Sequence, residues 1–333
     1  MKKIINHPDH VVMEMLAGLQ KENSSLAVNL ELGVVSRKHH VEKVGIVSGG
    51  GSGHEPAHAG YVGYGMLDAA VAGNVFASPS PDRILEGIHQ ADNGKGVLLI
   101  IKNYSGDIMN FSMAKEIAEM ENINVEKVIV KDDVAVEDST YSTGRRGIAG
   151  TMLVQKIAGA MAEKGSSLAD VKKVAEKAIQ NVRSIGMAMT PCTLPGVGKP
   201  NFTLGDNEIE IGMGIHGEPG IERTEVKSSK DLVKILLDKI LADYDFSNAE
   251  VCLLVNGLGG TPLMELYIVN NDAQTYLEEK NIKVIKNYVG NYMTSLEMSG
   301  CSLTLLKVDD QLKELLDYPV YTTALKGGSE HGI

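Results

Sequence analysis

Tryptophan is absent from this chain, phenylalanine occurs four times and cysteine three times. The first two scarcities leave aliphatic side chains to fill the core. At 43% hydrophobic and 23% charged residues, the 333-residue chain has the balance of a globular protein, long enough for two ordinary domains or one large α/β unit. Cys192, Cys252 and Cys301 are odd in number, far apart and without CxxC spacing. That argues against a disulfide framework and a structural zinc, and fits a reducing compartment in which each thiol packs as a small hydrophobe. Basic charge is also short: 32 Lys and Arg against 43 Asp and Glu leave a net −11, which argues against a nucleic-acid partner. No window approaches the ~20 apolar residues of a membrane span. The start, Met1-Lys2-Lys3-Ile4-Ile5-Asn6, lacks the apolar centre of a secretion signal. The expectation is a cytoplasmic protein with no membrane or nucleic-acid contact.

Glycine, by contrast, is abundant at 36, clustered between apolar runs without any period. Tight turns at strand ends account for that pattern. Helical spacing of apolar residues predicts a first helix over residues 8–19. A strand at 44–47 leads into Ser48-Gly49-Gly50-Gly51-Ser52-Gly53-His54-Glu55-Pro56, and one at 97–101 into Lys102-Asn103-Tyr104-Ser105-Gly106-Asp107. A helix over 109–120 and a strand over 125–130 follow. Continuous aliphatic runs alternating with helices predict parallel strands buried on both faces. Helices over 147–163 and 168–183 come next, then a second region with the segment 185–189, a Pro/Gly-rich loop through Lys199-Pro200, strands at 208–215, 251–255, 282–289 and 301–308, and a helix at 230–241. The predicted fold class is α/β. It comprises two domains, 1–184 and 185–333, each a largely parallel or mixed sheet flanked by helices, with the active site between them.

Several motifs invite readings that their chemistry rejects. His54-Glu55-Pro56-Ala57-His58 has the HExxH pattern of zinc proteases, but that motif needs both histidines on one helix face. Pro56 inside such a helix costs about 3 kcal/mol, and a glycine run precedes it. No metal is expected. The Gly49–Gly53 run does not satisfy GxGxxG, and Gly196-Val197-Gly198-Lys199-Pro200 lacks both the first glycine and the Ser/Thr of a Walker A loop. With no nucleotide cradle, any phosphoryl group must arrive from elsewhere. Asp132-Asp133 could bind a metal, though strand-end capping explains it as well.

What remains is a set of polar strand ends, where open α/β sheets bind ligands. The Gly49–Gly53 segment is either a plain turn or a place where bare N–H groups approach a small ligand. Asp107 is either a helix N-cap or a site carboxylate. Within Gly212-Met213-Gly214-Ile215-His216-Gly217-Glu218-Pro219-Gly220, His216 has few packing neighbours. A neutral imidazole there can act as a general base, a hydrogen-bonding group, or a nucleophile toward a ketone carbonyl.

Taken together, the Ser48–Pro56, Lys102–Asp107, Gly144-Arg145-Arg146-Gly147 and Gly214–Gly220 segments resemble the dihydroxyacetone kinase family. Asn256-Gly257-Leu258-Gly259-Gly260-Thr261-Pro262-Leu263-Met264-Glu265-Leu266 and Leu305-Leu306-Lys307-Val308-Asp309-Asp310 extend the likeness along nearly the whole chain. The resemblance implies that His216 forms a covalent hemiaminal with the C2 carbonyl of dihydroxyacetone, selecting short carbonyl compounds over polyols. It implies that His54 and Asp107 bind the substrate hydroxyls and act as acid and base, with Gly51, Ser52, Gly53 and Lys102 lining the pocket. It further implies that ADP or ATP and Mg reside on a separate DhaL-like subunit, recharged by a DhaM-like phosphotransferase protein, and that this chain forms a homodimer. The rival expectation is a paralogue that binds dihydroxyacetone yet serves as co-activator of a transcription factor.

Overall fold

The computed structural model describes residues 2–39, 41–137 and 144–328. A 3-10 turn at Pro8–His10 opens on proline, whose fixed φ suits a first helical position, and α1 follows at Val11–Glu22. Next come β1 (Leu26–Asn29), β2 (Val34–Arg37), β3 (Gly45–Ser52), β4 (Gly63–Tyr64) and β5 (Ala69–Val75). Then α2 (Pro81–Ala91), β6 (Val97–Lys102), α3 (Ser105–Met120) and β7 (Val125–Val130) complete the first half. Six of these strands form a sheet in the order β1-β2-β5-β3-β6-β7. The last four are mutually parallel, and the aliphatic run of β6 is buried throughout, as its sequence requires. β1 and β2 add an antiparallel edge.

Helices α4 (Gly150–Glu163) and α5 (Leu168–Asn181) lead into β8 (Val182–Ala188), β9 (Glu208–Ile211) and β10 (Glu222–Glu225). After α6 (Ser229–Asp243) come β11 (Glu250–Gly257), α7 (Leu263–Glu279), β12 (Lys283–Gly290) and β13 (Gly300–Lys307). The second sheet has the order β10-β9-β8-β13-β11-β12. β11 and β12 are parallel and its other neighbours antiparallel, so this sheet is mixed. Finally α8 (Asp310–Asp317) packs on α4, and β14 (Val320–Thr322) joins β15 (Lys326–Gly327) and β4 in a small third sheet. The chain thus returns to its first half. Among the described residues, no helix is long and apolar enough to cross a membrane.

Helix α4 ties the halves together. Nearly all of its residues are buried, because it touches β3 and β6 of one sheet and β13 of the other. Its N-terminus is capped from a distance by Asp132, whose carboxylate accepts from the N–H groups of Ile148 and Gly150 at 2.8 Å each. Gly159 lies flush against the Met66 backbone, where any Cβ would overlap it. One core therefore joins Leu16, Ile46 and Ile100 to Leu254, Leu306 and Leu315. Each such fully buried side chain contributes about 1.5–3 kcal/mol.

Residue 184, where the sequence reads as a change of domain, lies inside β8 rather than in a linker. Ser184 hydrogen-bonds Thr304 across the β8–β13 pair at 2.7 Å, and its backbone bonds the backbone of Asp132 and Val134. The two sheets meet at that seam.

Candidate functional site

β3 continues past residue 47, pairing with β5 as far as Ser52, so Gly49, Gly50 and Gly51 are strand residues and not a loop. Glycine is required there by crowding. A Cβ on Gly51 would stand 2.6 Å from Ala77 N. On its other side β3 pairs with β6 only from Gly45 to Ser48. The strand order reverses there, and the carboxyl ends of two strands parting in this way are where open α/β sheets form their ligand crevice. The expectation of bare backbone donors needs correction, because Gly53 N–H donates to the Glu55 carboxylate at 3.1 Å. Ser52 Oγ likewise donates to Gly73 O at 2.7 Å. Both bonds shape the turn that carries His54.

His54 is buried, with Nδ1 2.7 Å from the Thr294 carbonyl. A carbonyl can only accept, so Nδ1 carries the proton and Nε2 keeps its lone pair. The ring stacks on Phe76 with centroids 5.1 Å apart. Burial, the Lys102 cation and the neighbouring His216 hold its pKa well below the ordinary 6.5. His54 is therefore a neutral imidazole.

His216 arrives from the second half of the chain, in the turn between β9 and β10. Its Nδ1 lies 2.8 Å from Glu218 Oε1, and its backbone N–H donates to Glu218 Oε2 at 3.0 Å. Burial opposes ionisation of Glu218, but the hydrogen bonds from His216 hold its carboxyl down at about 2. An ionised carboxylate accepts only, so this ring too carries its proton on Nδ1. Its Nε2 faces His54 Nε2 at 3.1 Å. Phe76 and Tyr104 meet the His216 ring edge-on, at 5.2 and 4.6 Å between centroids.

α3 begins at Ser105 rather than at residue 109, which places Asp107 in its first turn and gives the cap position to Tyr104. Asp107 is buried there, not capping. A Cβ on Gly50 would lie 3.3 Å from both Asp107 Oδ2 and Lys102 Nζ, so these two charges flank one glycine. Lys102 is fully buried, and its Nζ has no hydrogen-bond partner. Burial pushes its pKa below 10.5, with the Asp107 carboxylate opposing. A buried ammonium lacking an acceptor is costly, and marks where a ligand oxygen fits. Lys102 and Asp107 thus flank Gly50, His54 and His216 meet each other, and the Lys102 charge acts on both Asp107 and His54, so two imidazoles, a carboxylate and a cation are neighbours.

Other contributors were not singled out in the sequence. Phe76 walls both imidazoles, and Glu218 aims one of them. Asn256 fixes the turn behind the other, accepting from Tyr292 N and Met293 N at 2.9 Å each and donating to Met293 O at 2.8 Å. The next residue, Thr294, presents the carbonyl that sets His54. A carboxylate two positions from a glycine-flanked histidine was a readable signal for Glu218; nothing local marked Phe76 or Thr294.

The remaining motifs are structural. His58 Nδ1 meets Gln155 Nε2 at 2.8 Å and the Ser48 hydroxyl at 3.3 Å, and residues 55–58 form turns, so the HExxH geometry is absent. Among the described residues no group of three or more His, Cys, Asp or Glu could hold a metal. Arg145 pairs with Asp243. Arg146 bonds Asp133 and Gly212 O at 2.7 Å each. Cys192, Cys252 and Cys301 are free and buried.

Residues 17–324 match the Dak1 domain. The chain is 53% identical over 328 residues to the PTS-dependent dihydroxyacetone kinase 1, dihydroxyacetone-binding subunit DhaK, of Listeria innocua serovar 6a, covering 97% of this chain and all of that one. This chain belongs to the dihydroxyacetone kinase family. Among solved structures of similar proteins, the dihydroxyacetone kinase operon co-activator Dha-DhaQ superposes with a TM-score of 0.92 at 38% identity, over 97% of this chain and 100% of the other. The dihydroxyacetone kinase of C. freundii gives 0.91 at 35% identity, over all of this chain and 63% of its own. Family membership thus embraces both a kinase and a regulator on one fold.

Proposed function

We propose that this chain is the dihydroxyacetone-binding subunit of a phosphotransferase-dependent dihydroxyacetone kinase, capturing its substrate as a hemiaminal on His216. The observation that carries the reading is the His216 ring, held at Nδ1 by Glu218 and meeting His54 at Nε2, with the buried pair Lys102 and Asp107 on the adjoining strand end and helix. Nε2 adds to the C2 carbonyl carbon as the C=O π pair moves to oxygen. Glycerol has no such carbon and is refused. Capture fixes a three-carbon molecule in one orientation, which is worth about 7–11 kcal/mol of the later barrier. His54 or Asp107 then takes the terminal hydroxyl proton as a phosphoryl group arrives in line.

In this reading the phosphoryl group comes from a DhaL-like subunit carrying ADP or ATP and Mg, recharged by a DhaM-like protein of the phosphotransferase system. The protein works in the cytoplasm as a homodimer, and its three unpaired thiols suit that compartment. The test is reconstitution with a DhaL-type subunit, a phosphotransferase donor and dihydroxyacetone, following dihydroxyacetone phosphate. Sustained production supports the proposal. Capture of dihydroxyacetone without turnover, together with tight binding to a transcriptional regulator, would instead establish the co-activator reading, which the likeness to Dha-DhaQ favours.

A further inference from the structure

We infer that Glu218 is the positioning residue that makes Nε2, rather than Nδ1, the nucleophilic nitrogen of His216. The inference rests on the capture reaction proposed above and assigns the group that enables it. A free histidine side chain prefers its proton on Nε2, the wrong nitrogen for attack in this crevice. The surrounding loop reverses that preference. Glu218 holds the residue at two points, with Oε1 2.8 Å from the ring Nδ1 and Oε2 accepting the backbone N–H at 3.0 Å. The ring is thereby fixed in tautomer and in rotation.

The loop is built around this carboxylate. A Cβ on Gly214 would overlap Glu218 Oε2 and come within 2.7 Å of Arg146 Nη1, so a side chain at 214 would expel the acid. Gly217, at φ +84°, turns the chain back between histidine and glutamate. Gly214 N–H donates to Glu218 O and Gly217 N–H to Gly214 O, at 3.1 Å each, closing the loop on itself. Arg146, anchored on Asp133 and Gly212 O, places a guanidinium alongside. These are the parts of a carboxylate–histidine dyad, in which the acid orients the ring and stabilises positive charge on it.

The charge balance shows why an acid is needed. As Nε2 gives its pair to the carbonyl carbon, the π pair goes to oxygen, leaving an imidazolium and an alkoxide. Glu218 faces the imidazolium through Nδ1–H. The neutral hemiaminal follows when the alkoxide takes a proton from solvent and Nδ1 passes its own to the Glu218 carboxylate, so that one proton is taken up and no co-reactant is needed.

Two measurements test this. In wild-type protein, ¹⁵N NMR of the His216 ring is expected to show the Nδ1–H tautomer; finding the Nε2–H tautomer would overturn the inference without any variant. Glu218→Ala and Glu218→Gln are then titrated with [2-¹³C]dihydroxyacetone, whose ketone resonance moves to the tetrahedral region on capture. Both are expected to weaken capture about 10- to 100-fold, as loss of an orienting partner commonly does. In reconstituted transfer the loss falls on KM, with kcat at saturation largely kept. Equal capture by wild type and both folded variants, with an unchanged tautomer, sinks the role of Glu218 while leaving the capture reaction standing. Absence of the tetrahedral signal in wild type would sink the capture reaction itself.

Discussion

His54 Nε2 and His216 Nε2 lie 3.1 Å apart although 162 positions separate them in the chain. Each ring has its other nitrogen committed to an acceptor, the Thr294 carbonyl in one case and the Glu218 carboxylate in the other. A hydrogen bond between the two Nε2 atoms therefore needs one proton beyond those on Nδ1, and without it two lone pairs face each other. That arrangement is poor for rest, and a substrate carbon bonding to the Nε2 of His216 must displace the other ring. It also requires both sheets, since one histidine follows β3 and the other follows β9.

Replacing His216 should abolish capture while sparing the fold. The ring is half-buried in a glycine-rich turn and fills no core cluster. His216→Asn is expected to give no tetrahedral ¹³C signal with labelled dihydroxyacetone and to unfold in urea within about 1 kcal/mol of wild type, as substitutions outside the core do. A persistent signal in this variant would place the nucleophile elsewhere.

Asp107→Asn should separate capture from transfer. Its carboxylate reaches the crevice from the first turn of α3, apart from the His216 loop. Removing a positioned acid or base commonly costs about 10²–10⁴ in rate. The expected outcome is unchanged ¹³C capture with triose phosphate formation lower by that factor. Equal losses in both assays would make Asp107 a binding group alone.

Much of the frame was legible in the sequence, for reasons that particular elements show. The 125–130 strand matches β7 because its β-branched residues, Val125 and Val128 to Val130, are bounded by turn residues on both sides. A glycine run reads as a turn and so ends the predicted strand at residue 47, whereas these glycines let β5 and the chain at Phe76 and Ala77 press close. Arg183 and Ser184 hide the continuation of the chain at 184 into β8, because they are polar residues whose partners, Asp243 and Thr304, lie far along the chain. In the site, the His216 loop declares its own carboxylate two residues on. The partner that sets His54 is 240 positions away, and no local pattern encodes such a contact.

Acid should destabilise the protein through its buried imidazoles. Burial, then the Lys102 charge, hold His54 and His58 well below 6.5 in the folded state. The unfolded chain thus binds protons that the folded chain does not, and stability present above pH 6.5 is lost as pH falls below it. Asp133 opposes this: burial raises its carboxyl to about 6, so the folded state gains a proton there as pH falls. His58→Gln isolates one imidazole. Between pH 6.5 and 4.5 its urea-unfolding free energy is expected to fall less steeply than that of wild type, by up to about 1.4 kcal/mol per pH unit, the worth of one proton. Parallel slopes would mean that His58 takes up its proton as readily in the folded protein as in the unfolded chain.

The donor subunit should be sensitive to the outer face of α3. Asp107 and Phe111 point inward from this helix, while Met109, Met113 and Met120 are 60%, 47% and 79% exposed on its other side. Methionines in such a row, beginning two residues from the site carboxylate, are an adaptable surface of the kind that protein partners grip. A phosphoryl donor reaching the crevice from the N-terminal end of α3 would lie against them. Met109→Asp combined with Met113→Asp is expected to leave capture and thermal stability unchanged, because neither side chain is in the core. Transfer from the nucleotide-carrying subunit should fall at least about 10-fold, the worth of one 1.4 kcal/mol contact, through a higher KM for that subunit. Transfer at the wild-type rate would move the docking surface off α3.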